Sequence, residues 1–361
     1  MTTNRTRSLR RWGVATIAAG ALALTACAPE APEPPTTTVA PTANQAALSA
    51  AAAWIDGAFS PAQWFPGFDP STPDPVNSAQ AIADLAALGV GSGSQSVRLD
   101  RLAADAASVT NDGNADVPGA LARLVLAVVA TGGDPHSFAG TNLVARLEAT
   151  IQPDGRFGAQ YANFDGSYRQ GLSLAALSVV TPRPSSITPG AGQTIDHLAP
   201  VAWLIDQQCS DGSWMAFRSD TTAPCVEDPN TWTYKDSNGS AMAALGLSAV
   251  GASAPVDPTT WFQAVRGNDG GWGAFPAGKT TASDADSTGL VIAALEALGH
   301  VPDESAYVAL RSFQLGDAAP VANRGAFFFQ GSNPVPNTYA TLDAVTALFD
   351  TTWPQALVPS H

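Results

Sequence analysis

Six Ala- and Leu-rich runs keep the period of a helix: Ser78–Leu88, Val117–Ala130, Ser167–Val179, Ser237–Val250, Asp286–Leu298 and Thr338–Phe349. Each opens on a polar candidate cap: Asn77-Ser78, Asp116, Asp165-Gly166-Ser167, Asp236-Ser237, Asp284/Asp286 and Asn337-Thr338. Many stop near a glycine, as helices do: Gly89, Gly132, Gly251 and Gly299. Small residues all round such a helix predict burial against close neighbours. Shorter amphipathic stretches alternate with these runs, among them Leu143–Ile151, Leu198–Gln208 and Trp261–Val265. The pattern predicts six helical hairpins, each with an outer amphipathic and an inner apolar helix.

One phrase marks the hairpins. It appears as Asp154-Gly-Arg-Phe157, Asp211-Gly-Ser-Trp214 and Asp269-Gly-Gly-Trp272, with a decayed copy at Arg324-Gly-Ala-Phe327 and a bare Asp112-Gly113. Asp-Gly turns the chain, and an aromatic two residues later can pack back on the helix just ended. Six such units filling the chain predict an all-α closed double ring. An open solenoid would need polar end caps.

The first 26 residues differ from the rest. Arg5, Arg7, Arg10 and Arg11 precede an apolar stretch, Val14 to Leu24, too short to span a bilayer. Leu24-Thr25-Ala26-Cys27 follows and resembles the bacterial lipobox, which implies a lipid on Cys27 and an extracytoplasmic, membrane-anchored protein. Residues 27–44 are rich in Pro and Thr and predict an extended spacer. The toroidal domain is expected over 45–361.

Charged residues make up 13% of the chain and hydrophobic ones 45%, which excludes a charged disordered polymer. The 31 acids against 17 bases give a net charge of −14, which excludes a nucleic-acid partner for want of a basic face. Cys209 and Cys225 remain after Cys27, an even pair in an exported chain, and predict a disulfide. The four histidines, His136, His197, His300 and His361, lie at no ligand spacing with a cysteine, so no metal and no cofactor is expected.

The Asp-Gly-x-Trp/Phe phrases, with glutamines before two of them (Gln152 and Gln208), resemble the repeats of squalene cyclases and prenyltransferase β subunits. The resemblance implies the (α/α)6 toroid, a fold shared with vitamin B12 carriers. It also points to Ser283-Asp284-Ala-Asp286-Ser287-Thr288-Gly289, which is similar to the Asp-x-Asp-Asp-Thr-Ala motif of class II terpene cyclases. Carried over, Asp286 is the acid that protonates an isoprenoid and Asp284 its neighbour. Ser287 stands where the motif has a third Asp, and Gly289 where it has Ala. The competing reading makes Asp284 and Asp286 one more helix cap.

Several enzymatic signatures of related toroids are absent, including the protein-prenyltransferase Asp-x-Cys and the thioester Cys-Gly-Glu-Gln phrase. The chain has room for one helical barrel where triterpene cyclases use two. The primary expectation is therefore a surface lipoprotein whose ring binds a hydrophobic or corrinoid-like ligand, or a protein partner, at one rim. The alternative is a cyclase using Asp286. Phe328 and Phe329 exceed the repeat pattern and are the expected ligand contacts, with Asp165, Asp236 and Asn337 sharing the rim.

Overall fold

The computed structural model describes residues 42–159, 162–228, 230–231, 233–278, 280–332 and 334–359, with all their side chains except those of 162–165. The signal segment, Cys27 and nearly all of the spacer lie outside these residues. No helix among the described residues is long and apolar enough to cross a membrane.

The inner helices are α2 (Pro75–Ala87), α5 (Pro118–Ala130), α7 (Ala162–Ser178), α9 (Ser237–Val250), α11 (Ala285–Ala297) and α13 (Thr338–Thr346). The outer helices are α1 (Ala43–Ala58), α3 (Ser92–Ala104) with the short α4 (Ala106–Val109), α6 (Leu143–Ala149), α8 (Ala199–Asp206), α10 (Pro258–Val265) and α12 (Glu304–Ser312). Each inner helix packs on the next, and α13 packs on α2, so the ring closes. This is the all-α double ring that the six apolar runs predict. The inner helices are almost wholly buried.

The glycine-aromatic turn does three jobs in the four units that carry it. Its aromatic is buried: Phe157, Trp214, Trp272 and Phe327 are at most 2% exposed. The aromatic's N–H donates to a side chain on the inner helix that follows: Phe157 to Gln170, Trp214 to Ser240, Trp272 to Thr288 and Phe327 to Thr341, all within 3.0 Å. The first unit does the same with Phe65 and Ser78. Each indole Nε1 donates back to the preceding outer helix, Trp214 to the Leu204 carbonyl and Trp272 to that of Phe262. The turn's glycine packs on the next unit's outer helix, and the last of them closes the circle. Gly325 has a φ of +92°, and a Cβ there would lie 2.2 Å from the Ala50 carbonyl oxygen of α1.

The capping pattern differs in part from expectation. Asp236, Asp284 and Asn337 cap α9, α11 and α13 by accepting backbone N–H bonds. α2 starts earlier than expected and is capped by Asp74, so Asn77 and Ser78 lie inside it. The Pro75 ring fits the first helical position, where no N–H is needed. Asp116 caps nothing. Arg146 grips it with two hydrogen bonds, and Val117 takes the cap position without a side-chain bond. α7 begins at Ala162, which places Asp165 in its first turn rather than at its cap.

The Cys209–Cys225 disulfide forms with the cysteines 16 residues apart. Closing a loop of that length contributes about 3 kcal/mol in the chain-entropy model.

Candidate functional site

The inner helices all start at one end of the barrel. Loop carbonyls of the following unit cap them there in turn: Ser167 N–H donates to Ala216, Ser237 to Ala274 and Ala285 to Phe329. At the seam, the Tyr339 hydroxyl donates to the Asp74 carboxylate, joining the starts of α13 and α2. Asp74, Asp236, Asp284 and Asn337 therefore share one mouth, as the alternation of outer and inner helices requires. The side chain of Asp165 lies outside the described residues.

Below the mouth is a small axial chamber of about 20 Å³, lined by residues from all six inner helices. Six residues past their caps stand Gln80, Arg123, Met242, Leu290 and Asp343, with Leu172 at the matching level of α7. The polar members come from α13, α2 and α5, and the apolar ones from α7, α9 and α11. Asp84 lies deeper on α2. Trp353 and Leu357, in the C-terminal segment, line the far end. None of Gln80, Asp84, Arg123, Tyr168 or Asp343 was singled out by motif or repeat. The available signal is that Asp84, Arg123 and Asp343 are ionisable residues inside otherwise apolar helical runs.

Three carboxyls step down the axis on neighbouring helices. Asp286 is two residues past its cap, Asp343 six and Asp84 ten, or roughly 3, 9 and 15 Å along parallel helices at 1.5 Å per residue. Burial pushes each of them up, with like charge adding to it. Asp343 is pushed up to about 6, against the opposing pull of Arg123 and a hydrogen bond from Gln80. Asp84 is raised well above the usual carboxylate range by burial, with Arg123 opposing and Asp343 reinforcing the rise. Asp286 is raised well above that range by burial, then by Asp343, then by Asp284. Burial also raises Tyr168, whose hydroxyl faces Arg123 at 3.4 Å.

The motif aspartates divide their roles. Asp284 is the cap: its carboxylate accepts from Ser287 N–H at 2.7 Å, Ser287 Oγ at 3.0 Å and Ala274 N–H at 2.9 Å. Ser287 therefore serves as a donor to Asp284, and Thr288 holds the Trp272 turn. Asp286 caps nothing, and its Oδ1 is shielded from solvent with no hydrogen-bond partner. The departure at Gly289 has a steric reason. A Cβ there would lie 2.5 Å from the Asp343 carbonyl oxygen, so the glycine lets α13 approach α11 and sets Asp343 beside Asp286.

Of the two extra phenylalanines, only Phe329 faces the opening. Phe328 stacks edge-on against Phe313 at 5.4 Å, against the hydrophobic core. Phe329 is 40% exposed and lines an apolar groove of about 630 Å³ at the seam, with Trp54, Phe68, Val335 and Asn337. Phe68 is 82% exposed. Asp236 sits at the mouth, pushed up to about 6 by burial against its two backbone hydrogen bonds. Among the described residues, no group of three His, Cys, Asp or Glu could hold a metal ion.

The raised carboxyls fix a pH dependence. An acid whose native pKa exceeds its unfolded one keeps a proton that the unfolded chain has lost, so stability falls as pH rises through that window. Asp236 and Asp343 place the window between about 4 and about 6. Asp116 and Asp303, held low by Arg146 and Arg266, act oppositely and lose their contribution as pH falls below about 4. The melting temperature is therefore expected to be several degrees higher at pH 5 than at pH 8. A curve still rising at pH 8 contradicts this.

The ring and its repeats define a helical toroid of the terpene-cyclase kind. No family model matches the chain, and no curated protein matches it by sequence. Solved structures do match in fold. A protein from Actinoplanes superposes with a TM-score of 0.52 at 13% identity, covering 84% of this chain and 98% of that one. The type II terpene cyclase MstE from Scytonema, without ligand, gives 0.50 at 15% identity over 84% and 97%. An aspartate-to-alanine variant of that cyclase, in complex with merosterolic acid A as product, gives 0.50 at 16% over 84% and 96%.

Proposed function

We propose that this protein is a membrane-anchored binding protein that takes an apolar ligand at the seam groove. The observation that carries this reading is one of size. The axial chamber has room for about one water. The groove at the mouth, about 630 Å³ and edged by Phe68, Phe329 and Val335, falls in the range of ligand sites. A lipid on Cys27 would hold the domain at the membrane surface through the Pro- and Thr-rich spacer. Hydrophobic molecules and the apolar edge of a corrinoid fit the chemistry of the groove equally.

The enzymatic reading has its own support: the fold likeness to a type II terpene cyclase, and Asp286. A shielded carboxyl whose pKa is raised by burial is the kind of group that protonation of an alkene needs. The small chamber opposes it, because an isoprenoid must lie against the acid to receive the proton.

One experiment separates the two. The mature protein is mixed with geranylgeraniol or with cyanocobalamin, re-isolated and analysed by mass spectrometry and absorbance. Retention of unchanged ligand by the wild type and its loss in Phe329→Asp supports the binding reading. A cyclised product that disappears in Asp286→Asn supports the enzyme. Ligand retained equally by Phe329→Asp overturns the groove. Membrane fractionation with Cys27→Ala tests the anchor, the variant being expected in the soluble fraction.

A further inference from the structure

The axial chamber is built as a cage, and it is a different site from the seam groove. Asp84 is 1% exposed, lines the chamber, and neither of its carboxyl oxygens has a hydrogen-bond partner. The Asp286 Oδ1 above it is likewise shielded and unpartnered. The contacts among the remaining polar groups are long. Gln80 Nε2 reaches Asp343 Oδ1 at 3.5 Å, and Arg123 Nη2 reaches the Tyr168 hydroxyl at 3.4 Å. These groups face a shared void more than one another.

Charge is also out of balance. Asp84 and Asp343 share one guanidinium, that of Arg123, while Asp286 feels only the like charges of Asp343 and Asp284. Buried carboxyls in such excess are neutralised by protons or by another cation. The carboxyls do not converge closely enough to ligate a bare metal ion directly. What spans them must have the size of a water, carry positive charge and offer several N–H donors.

We infer that the axial chamber binds an ammonium group, either the free ion or the head of a small primary amine, with Asp84 as its principal acceptor. Asp343 lines the chamber one helical turn above Asp84, and Asp286 stands about one turn nearer the mouth. The cation pairs with the ionised form of Asp84, so ammonium and protons compete for the site.

The test uses the intact mature protein at pH 7.5 and fixed ionic strength. Ammonium chloride is expected to raise the melting temperature saturably, with little effect from potassium chloride and none from tetramethylammonium chloride, which lacks N–H donors and exceeds the chamber. The half-saturating ammonium concentration should fall, not rise, as pH is raised from about 5.5 to 7.5, because protons compete for the same carboxyl. Asp84→Asn should raise the half-saturating concentration at least tenfold, and Asp343→Asn should raise it less. The exposed Asp69→Asn should leave it unchanged. Methylammonium and n-butylammonium distinguish the sources: a butyl chain tolerated without loss marks an amine head, and exclusion of butyl marks the free ion. An equal rise with tetramethylammonium, or an undiminished response in Asp84→Asn, overturns the proposal. Should Asp84→Asn not fold, the wild-type cation series and Asp343→Asn decide. Failure here leaves the seam groove untouched, since none of these variants alters Phe329 or its neighbours.

Discussion

Trp272→Ala is expected to destabilise the protein by about 4 kcal/mol, the scale for truncating a fully buried aromatic. The indole is 2% exposed, and its Nε1 donates to the Phe262 carbonyl at 2.7 Å. Truncation empties a cavity at the joint between α10 and α11 and leaves that carbonyl unpaired inside it. Arg266, whose guanidinium lies 5.1 Å from the ring, loses its platform. A domain is stable by about 5–15 kcal/mol in all, so one substitution removes a large fraction of it. In a domain of this size the melting temperature should fall by roughly 6 °C. Trp214→Ala should behave alike, because its Nε1 makes the same bond to the Leu204 carbonyl at 2.8 Å. Phe329→Ala, at an exposed position, should shift stability by less than 1 kcal/mol. Equal losses for Trp272 and Phe329 would contradict this division between core and rim.

Gly325→Ala is expected to cost about 3 kcal/mol, though it adds only one methyl. Two penalties combine. A φ of +92° is unfavourable for any residue with a Cβ, costing about 1 kcal/mol. The added carbon would also sit 2.2 Å from the Ala50 carbonyl oxygen, so α1 or the turn must move. The movement falls where Gln314 bridges the Ala47 and Gly325 carbonyls with one side-chain amide. Gly113 is the control. Its φ is +95° with nothing within 4 Å of the would-be Cβ, so Gly113→Ala should cost only the backbone share. Chemical denaturation of the two variants side by side separates the terms, and similar losses in both would argue against the clash.

The ring was readable from the sequence because repetition made each signal appear several times. The Asp-Gly-aromatic phrase, the apolar run and the terminal glycine recur in register, and any one copy alone would be ambiguous. The axial site was not readable for the opposite reason. Gln80, Arg123 and Asp343 occupy one level of the barrel, but each occurs once, on a different helix, where its repeat counterparts are Leu172, Met242 and Leu290. Repeat logic averages such residues away. Asp286 was visible through its motif, but only the structure separates it from Asp284, since both lie at a helix start and a cap is a matter of geometry. Phe328 and Phe329 looked alike in sequence, yet the backbone turns one toward Phe313 and the other toward the groove.

Closure of the ring joins residues far apart along the chain. Gln314 bonds to Ala47 across 267 positions, Tyr339 to Asp74 across 265, and Gln80 to Asp343 across 263. Contacts of such span are entropically slow to form, and they return little until the circle is complete. The first and last hairpins thus depend on each other as adjacent hairpins do, and a chain shortened by one unit exposes two apolar faces at once. No hairpin is privileged as the beginning. The backbone could be opened at another inter-unit loop and its present ends joined, and the wheel would still have six spokes in the same order.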